Sequence, residues 1–201
     1  MNLKPPACAR CASRRTHSAA ITKAMVELNQ ILRSLWEQHV FWTRLTVNSI
    51  IARSPDVQAT TAQLLRNADD FAAVLRPFYG PGPASRFAEL LRSHLTIAAE
   101  LVTALRDGNT AAAGDAERRW VMNADEIARF LGRINPYWSE AEWRNMLHAH
   151  LRLLRSEINT RIAGNYEENV ALSDRIETQA LGMADLMTRG ILQQFPSAFA
   201  A

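Results

Sequence analysis

The stretches "LWEQHV" (35–40), "LLRSHL" (90–95) and "MLHAHL" (146–151) each close on a histidine followed by an aliphatic residue, so His39, His94 and His150 recur at spacings of 55 and 56. Around each histidine the residues of one largely apolar stripe recur at three- and four-residue steps: Trp36, Thr43 and Val47 with His39; Leu91, Ala98 and Leu101 with His94; Leu147, Leu154 and Glu157 with His150. That period is helical, and it places each imidazole on the buried stripe of its helix.

Between these stretches lies a second repeated phrase. "NADDFA" (67–72) returns as "NADEIA" (123–128) and, in a weaker copy, as "QALGMA" (179–184). Without a gap, Leu64, Trp120 and Ile176 correspond, as do Phe71, Ile127 and Met183, Ala72, Ala128 and Ala184, and Leu75, Leu131 and Met187. The first position of the phrase holds Asn67, Asn123 and Gln179.

Turn chemistry at "RSPD" (53–56), "PFYGPGP" (77–83), "DGN" (107–109), "NPYWSEAE" (135–142) and "AGN" (163–165) divides the chain past residue 20 into six helical segments. Ser139 with Glu142 forms a capping box at one helix start. Short breaks alternate with longer proline-containing ones. The sequence therefore predicts an all-α six-helix bundle built from three helical-hairpin repeats of about 56 residues, with hairpins at about 21–79, 83–134 and 139–195. Each histidine and its amide lie about 14 residues from the hairpin tip, or roughly 21 Å at the helical rise. They meet at one level, and three imidazole–amide pairs make a polar layer through an apolar bundle. A rival reading takes "NADD" and "NADE" as capping boxes that start or kink a helix at Asn67 and Asn123. The third copy, a poor cap at the same spacing, favours unbroken helices.

The chain of 201 residues, 48% hydrophobic and 21% charged, is long enough to bury its own core. Its formal charge of +3 is concentrated in residues 1–26, which carry Lys4, Arg10, Arg14, Arg15 and Lys23 without an acid; the remainder holds 18 basic against 20 acidic residues. The body thus lacks the basic face that nucleic acid requires, and such binding is expected only through the tail. Residues 1–20 read as a basic, disordered tail, with no apolar run of the length a secretory signal needs, so the expected location is cytoplasmic. No stretch of 18 apolar residues is present, and no membrane span is expected. Cys8, Cys11 and His17 form an incomplete zinc set, because no second ligand pair exists.

The phrases "LWEQHVFWTR", "LLRNADDFAAVLRPFYG", "WVMNADEIARFLGRINPYWSEAEW" and "MADLMTRGILQQF" resemble a set of uncharacterised bacterial all-helical proteins, some of which carry the label acetylglutamate kinase. The likeness spans residues from about 30 to 196. It implies a helical fold and brings no chemistry. In that family the first phrase often has proline where this chain has Ala68, which implies a helix start there. The kinase label conflicts with the residues: phosphate transfer of that kind needs a glycine-rich loop on an α/β scaffold, and this chain has 8 glycines and no strand pattern.

The function expected from the residues is that of a non-enzymatic helical-bundle binding or scaffold protein, whose polar layer of His39, His94, His150, Asn67, Asn123 and Gln179 is structural or a ligand site. Its partner is a protein or a small ligand, and an oligomer is compatible with this reading. No cofactor is favoured. The alternative is a metal-binding bundle in which His39, His94 and His150, joined by Glu37, Glu100, Glu157 or Asp70, hold iron, zinc or manganese for oxidative or storage chemistry. Against it, no histidine has a carboxylate three residues before it, the Glu-x-x-His spacing of di-iron bundles. No Ser-His-acid set presents itself. The five tryptophans are read as core, and Arg44, Arg66 and Arg76 as partners of nearby carboxylates before ligands of an anion.

Overall fold

The computed structural model describes residues 21–200, which form α1 (Lys23–Ala52), α2 (Val57–Tyr79), α3 (Pro81–Arg106), α4 (Thr110–Ile134), α5 (Glu140–Ile162) and α6 (Tyr166–Gln194), followed by a single 3-10 turn at Pro196–Phe199. The described residues contain no strand. The basic tail, with Cys8, Cys11 and His17, lies outside them.

Each helix packs on the next, and α6 returns to α1, so the six close into a ring; α1 also packs against α3 and α5. One continuous core fills the interior. All twelve residues of the four corresponding sets, from Leu64, Trp120 and Ile176 to Leu75, Leu131 and Met187, are buried in it. Helices α2 and α4 pass through Asn67 and Asn123 without a break. The capping-box reading at those residues is set aside, because both side chains turn inward and find partners across the bundle.

The second break is far shorter than the sequence suggests. Helix α2 continues through Pro77 to Tyr79, and α3 begins at Pro81 where residue 83 was expected. Proline in the last turn forfeits one hydrogen bond while keeping a helical φ, so the stop falls later. It falls on Gly80, whose φ of 79° and ψ of 175° belong to a region open only to glycine. Pro81 then opens α3 at a position where its missing N–H has no helical partner to lose.

The α1–α2, α3–α4 and α5–α6 turns, the tips of the bundle, share a backbone device. Arg53, Gly108 and Gly164 all adopt the left-handed conformation that ends a helix, with φ of 53°, 68° and 76°. Arg53 bears the side-chain strain that its two glycine counterparts avoid, about 1 kcal/mol. Its guanidinium donates to Asp107 at 2.7 Å, and Arg106 donates to the Ile50 carbonyl at 2.8 Å, tying the first two tips together. The opposite end, where the connectors and the C-terminus meet, is aromatic: Tyr79 packs on Trp138 and Phe195, and Phe78 on Phe195 and Phe199.

Candidate functional site

His39, His94 and His150 come from α1, α3 and α5, and all three are buried. Each imidazole Nδ1 meets the side-chain oxygen of one amide on the following helix: His39 with Asn67 at 3.3 Å, His94 with Asn123 at 2.8 Å, His150 with Gln179 at 2.7 Å. Each amide nitrogen then donates back to a main-chain carbonyl: Asn67 to Leu35 at 3.1 Å, Asn123 to Leu90 at 3.2 Å, Gln179 to Met146 at 2.9 Å. In every case that carbonyl lies four residues before the histidine.

This relay decides a protonation state. A carbonyl only accepts, so the amide must turn its NH2 to the backbone and its oxygen to the imidazole. That oxygen also only accepts, so Nδ1 must carry the proton. Each neutral ring is therefore the Nδ1–H tautomer, and each Nε2 keeps a bare lone pair on the side of the ring away from the amide. Burial holds the rings neutral, pushing His39 down to about 3 and His94 to about 4 and lowering His150 as well. The neighbouring imidazoles lower His39 and His94 further, while the bonds to Asn67, Asn123 and Gln179 act the other way.

The three rings share one interior. The centres of His39 and His150 are 5.9 Å apart, and all three rings line two narrow cavities, one on the tip side of the layer and one on the connector side. Each leaves about 20 Å³ for the centre of a water molecule, room for one or two waters. The tip-side wall is aliphatic, with Val47, Ile50, Leu95, Val102 and Leu154, joined by Thr43, Thr46 and Trp120. The connector-side wall is mostly aromatic, with Trp36, Phe87 and Trp143. Neither lining contains a carboxylate, an arginine or a lysine.

Six buried side-chain polar atoms among the described residues have no hydrogen-bond partner, and five belong to residues lining these two cavities: the Thr43 and Thr46 hydroxyls and the indole N–H groups of Trp36, Trp120 and Trp143. The threonines are the informative members. Elsewhere in the helices Thr60, Thr96, Thr103 and Thr188 donate to the carbonyl four residues back. Thr43 and Thr46 do not.

The carboxylates of the metal alternative do not join the histidines. Glu37 and Glu100 are exposed, the latter bound by Arg119 at 2.6 Å, and Asp70 faces Arg66 at 3.7 Å. Glu157 is buried but belongs to another cluster, where Arg44 and the Ser173 hydroxyl donate to it and Asn169 accepts from Arg44 at 3.0 Å. Outward pointing at Glu37 and Glu100 follows from helical phase, since at 3.6 residues per turn two residues from His39 lies about 160°, and six from His94 about 120°, around the helix from the inward stripe. Among the described residues no group of three or more His, Cys, Asp or Glu is arranged to hold a metal ion. Arg76 is exposed and Arg44 is committed to Glu157.

Sequence reasoning missed the backbone acceptors Leu35, Leu90 and Met146, which leave no side-chain signature. It also missed the Arg44–Glu157–Asn169–Ser173 cluster, although Glu157 on an apolar stripe was a visible cue. No helix among the described residues is long and apolar enough to cross a membrane. Comparison with family models, curated proteins and solved structures gives no match to this chain.

Proposed function

We propose that the chain is three copies of one helical hairpin and that it works as a non-enzymatic binding protein whose ligand site is the cavity at the histidine layer. The observation that carries this reading is the threefold relay, which fixes three neutral imidazoles with bare Nε2 atoms at the wall of a common, largely apolar cavity. An apolar pocket with a few convergent polar groups and displaced pKa values is the usual form of a small-molecule site. Beside the layer, the Thr43 and Thr46 hydroxyls have no partner among the protein's own groups, which leaves them for whatever occupies the cavity. The same depressed imidazole basicity argues against general-base catalysis near neutral pH.

The test is a panel of fragment-sized alcohols, amides, amines and carboxylates against the full chain and against Ala98→Leu, which fills the cavity while keeping all six residues of the layer. At least one class should raise the melting temperature in a concentration-dependent way, and Ala98→Leu should abolish the effect. If none does, the layer is structural and the binding reading fails.

A second reading, a transition metal held by the three Nε2 atoms, is supported by the relay itself, since metal-bound imidazoles also donate their other nitrogen to an oxygen. Metal analysis of protein purified without a histidine tag separates the two. The binding reading expects well under one equivalent of iron, zinc, copper or manganese. Stoichiometric metal lost on replacing His39, His94 or His150 would move the assignment to the metal.

A further inference from the structure

We infer that the cavity selects a small uncharged hydroxyl compound, of about ethanol's size, over amines and acids of the same size. The inference rests on the cavity being a binding site and adds what it binds.

The polar groups at the tip-side cavity are acceptors and donors, and the Trp120 indole N–H is one donor without a partner. The Nε2 atoms of His39, His94 and His150 only accept, because the relay has placed each ring proton on Nδ1. The Thr43 and Thr46 hydroxyls have a proton to donate, and neither has a partner. They sit four and seven residues after His39, one and two turns along the same stripe of α1, and line the cavity with it. A ligand that satisfies this set must donate to an imidazole nitrogen and accept from a threonine hydroxyl through the same small head. A hydroxyl does both. An ammonium group can donate to the threonine oxygens but leaves their protons without an acceptor, and a carboxylate has no proton for the imidazoles.

Charge leads to the same class. No side chain in either lining carries a countercharge of either sign, so a buried ion would lose its hydration without compensation. The burial that keeps three imidazoles neutral acts equally on an ammonium group. Beyond the polar head the wall is Val47, Ile50, Leu95, Val102 and Leu154, which receives carbon. The volume sets the size: about 20 Å³ for a water centre admits one or two waters, which limits the guest to a few heavy atoms.

The experiment is a titration of the full-length, histidine-¹⁵N-labelled protein with ethanol, ethylammonium, acetate and zinc at neutral pH, following the imidazole nitrogens. Ethanol should move Nε2 resonances saturably and bind at least about tenfold more tightly than either charged isostere. The double variant Thr43→Val with Thr46→Val should weaken ethanol by about tenfold while leaving the three Nδ1–H signals in place, which reports that the layer is still folded. Ala98→Leu should remove the ethanol response. Equal or tighter binding of ethylammonium or acetate, or stoichiometric zinc on the Nε2 atoms, would overturn the hydroxyl assignment and leave the cavity as a binding site. If no probe moves an Nε2 resonance, or if the ethanol response survives in Ala98→Leu, both this assignment and the reading beneath it fall.

Discussion

The two halves of the bundle, divided by the histidine layer, are packed by different rules. On the connector side, large rings meet small residues: Trp138 is almost fully buried, donates its indole N–H to the Leu186 carbonyl at 3.3 Å, and lies against Gly190. Asn135 donates to the Tyr79 hydroxyl at 2.8 Å and Gln194 to the Ile134 carbonyl at 3.1 Å, so the helix ends there are cross-linked by side chains. On the tip side the wall of the central cavity is aliphatic and threonine hydroxyls go unanswered. Both cavities leave the same room, and the connector-side one has its own unpartnered indoles in Trp36 and Trp143, so the difference lies in the walls: aromatic rings beside cross-linked helix ends there, aliphatic side chains with hydroxyls here.

The largest expected effect is on the connector side. A Cβ added at Gly190 would stand 1.9 Å from the Trp138 indole nitrogen, so Gly190→Ala must displace a tryptophan that has nowhere to go. A loss of about 3 kcal/mol in denaturant unfolding is expected, with partial recovery when Trp138→Leu is added. A loss below about 1 kcal/mol would mean that this half is no more tightly packed than the other.

At the boundary, His94→Leu strands the Asn123 amide oxygen and should cost about 2 kcal/mol; adding Asn123→Leu should recover part of it. Strict additivity in that double-mutant cycle would show that the two side chains do not act as a pair.

The layer also gives the protein a pH signature. Folded imidazoles whose pKa lies below the ordinary 6.5 favour the neutral ring, so the folded state binds fewer protons than the unfolded chain between that value and the folded ones. Stability should be fully present above pH 6.5 and fall as pH drops toward about 4 and then about 3, the folded values of His94 and His39. The lowered carboxylates Asp107, Asp115 and Asp185 lose their contribution further down, below their ordinary 3.8. Melting temperature against pH checks this, and His94→Leu should flatten the slope between 6.5 and 4. An unchanged slope would remove the layer from the acid response.

The smallest effect belongs to the tip side. Thr43→Val removes an unpartnered hydroxyl at nearly constant volume and should leave the unliganded protein about 1 kcal/mol more stable. A loss of similar size would mean that the hydroxyl already has a partner in solution, and the contrast between the halves would weaken.

The histidine stretches and the repeated Asn/Gln phrase were enough to predict six helices, their inward faces and the pairing of His39 with Asn67, His94 with Asn123 and His150 with Gln179. They were enough because helical periodicity is local: a face is set by residues three and four apart, and two residues at equal distance from a tip must meet across a hairpin. Only the tertiary structure decided which proton each imidazole carries, since that follows from the carbonyls of Leu35, Leu90 and Met146, and every residue type supplies the same carbonyl. Packing also decided that Glu157 answers to Arg44 and not to His150, because a buried carboxylate goes to the nearest cation and the distance from α1 to α5 is not written along either helix. Pro77 teaches the same lesson in reverse: local chemistry marked a stop, and the chain ran on to Gly80, where a backbone angle open only to glycine could turn it.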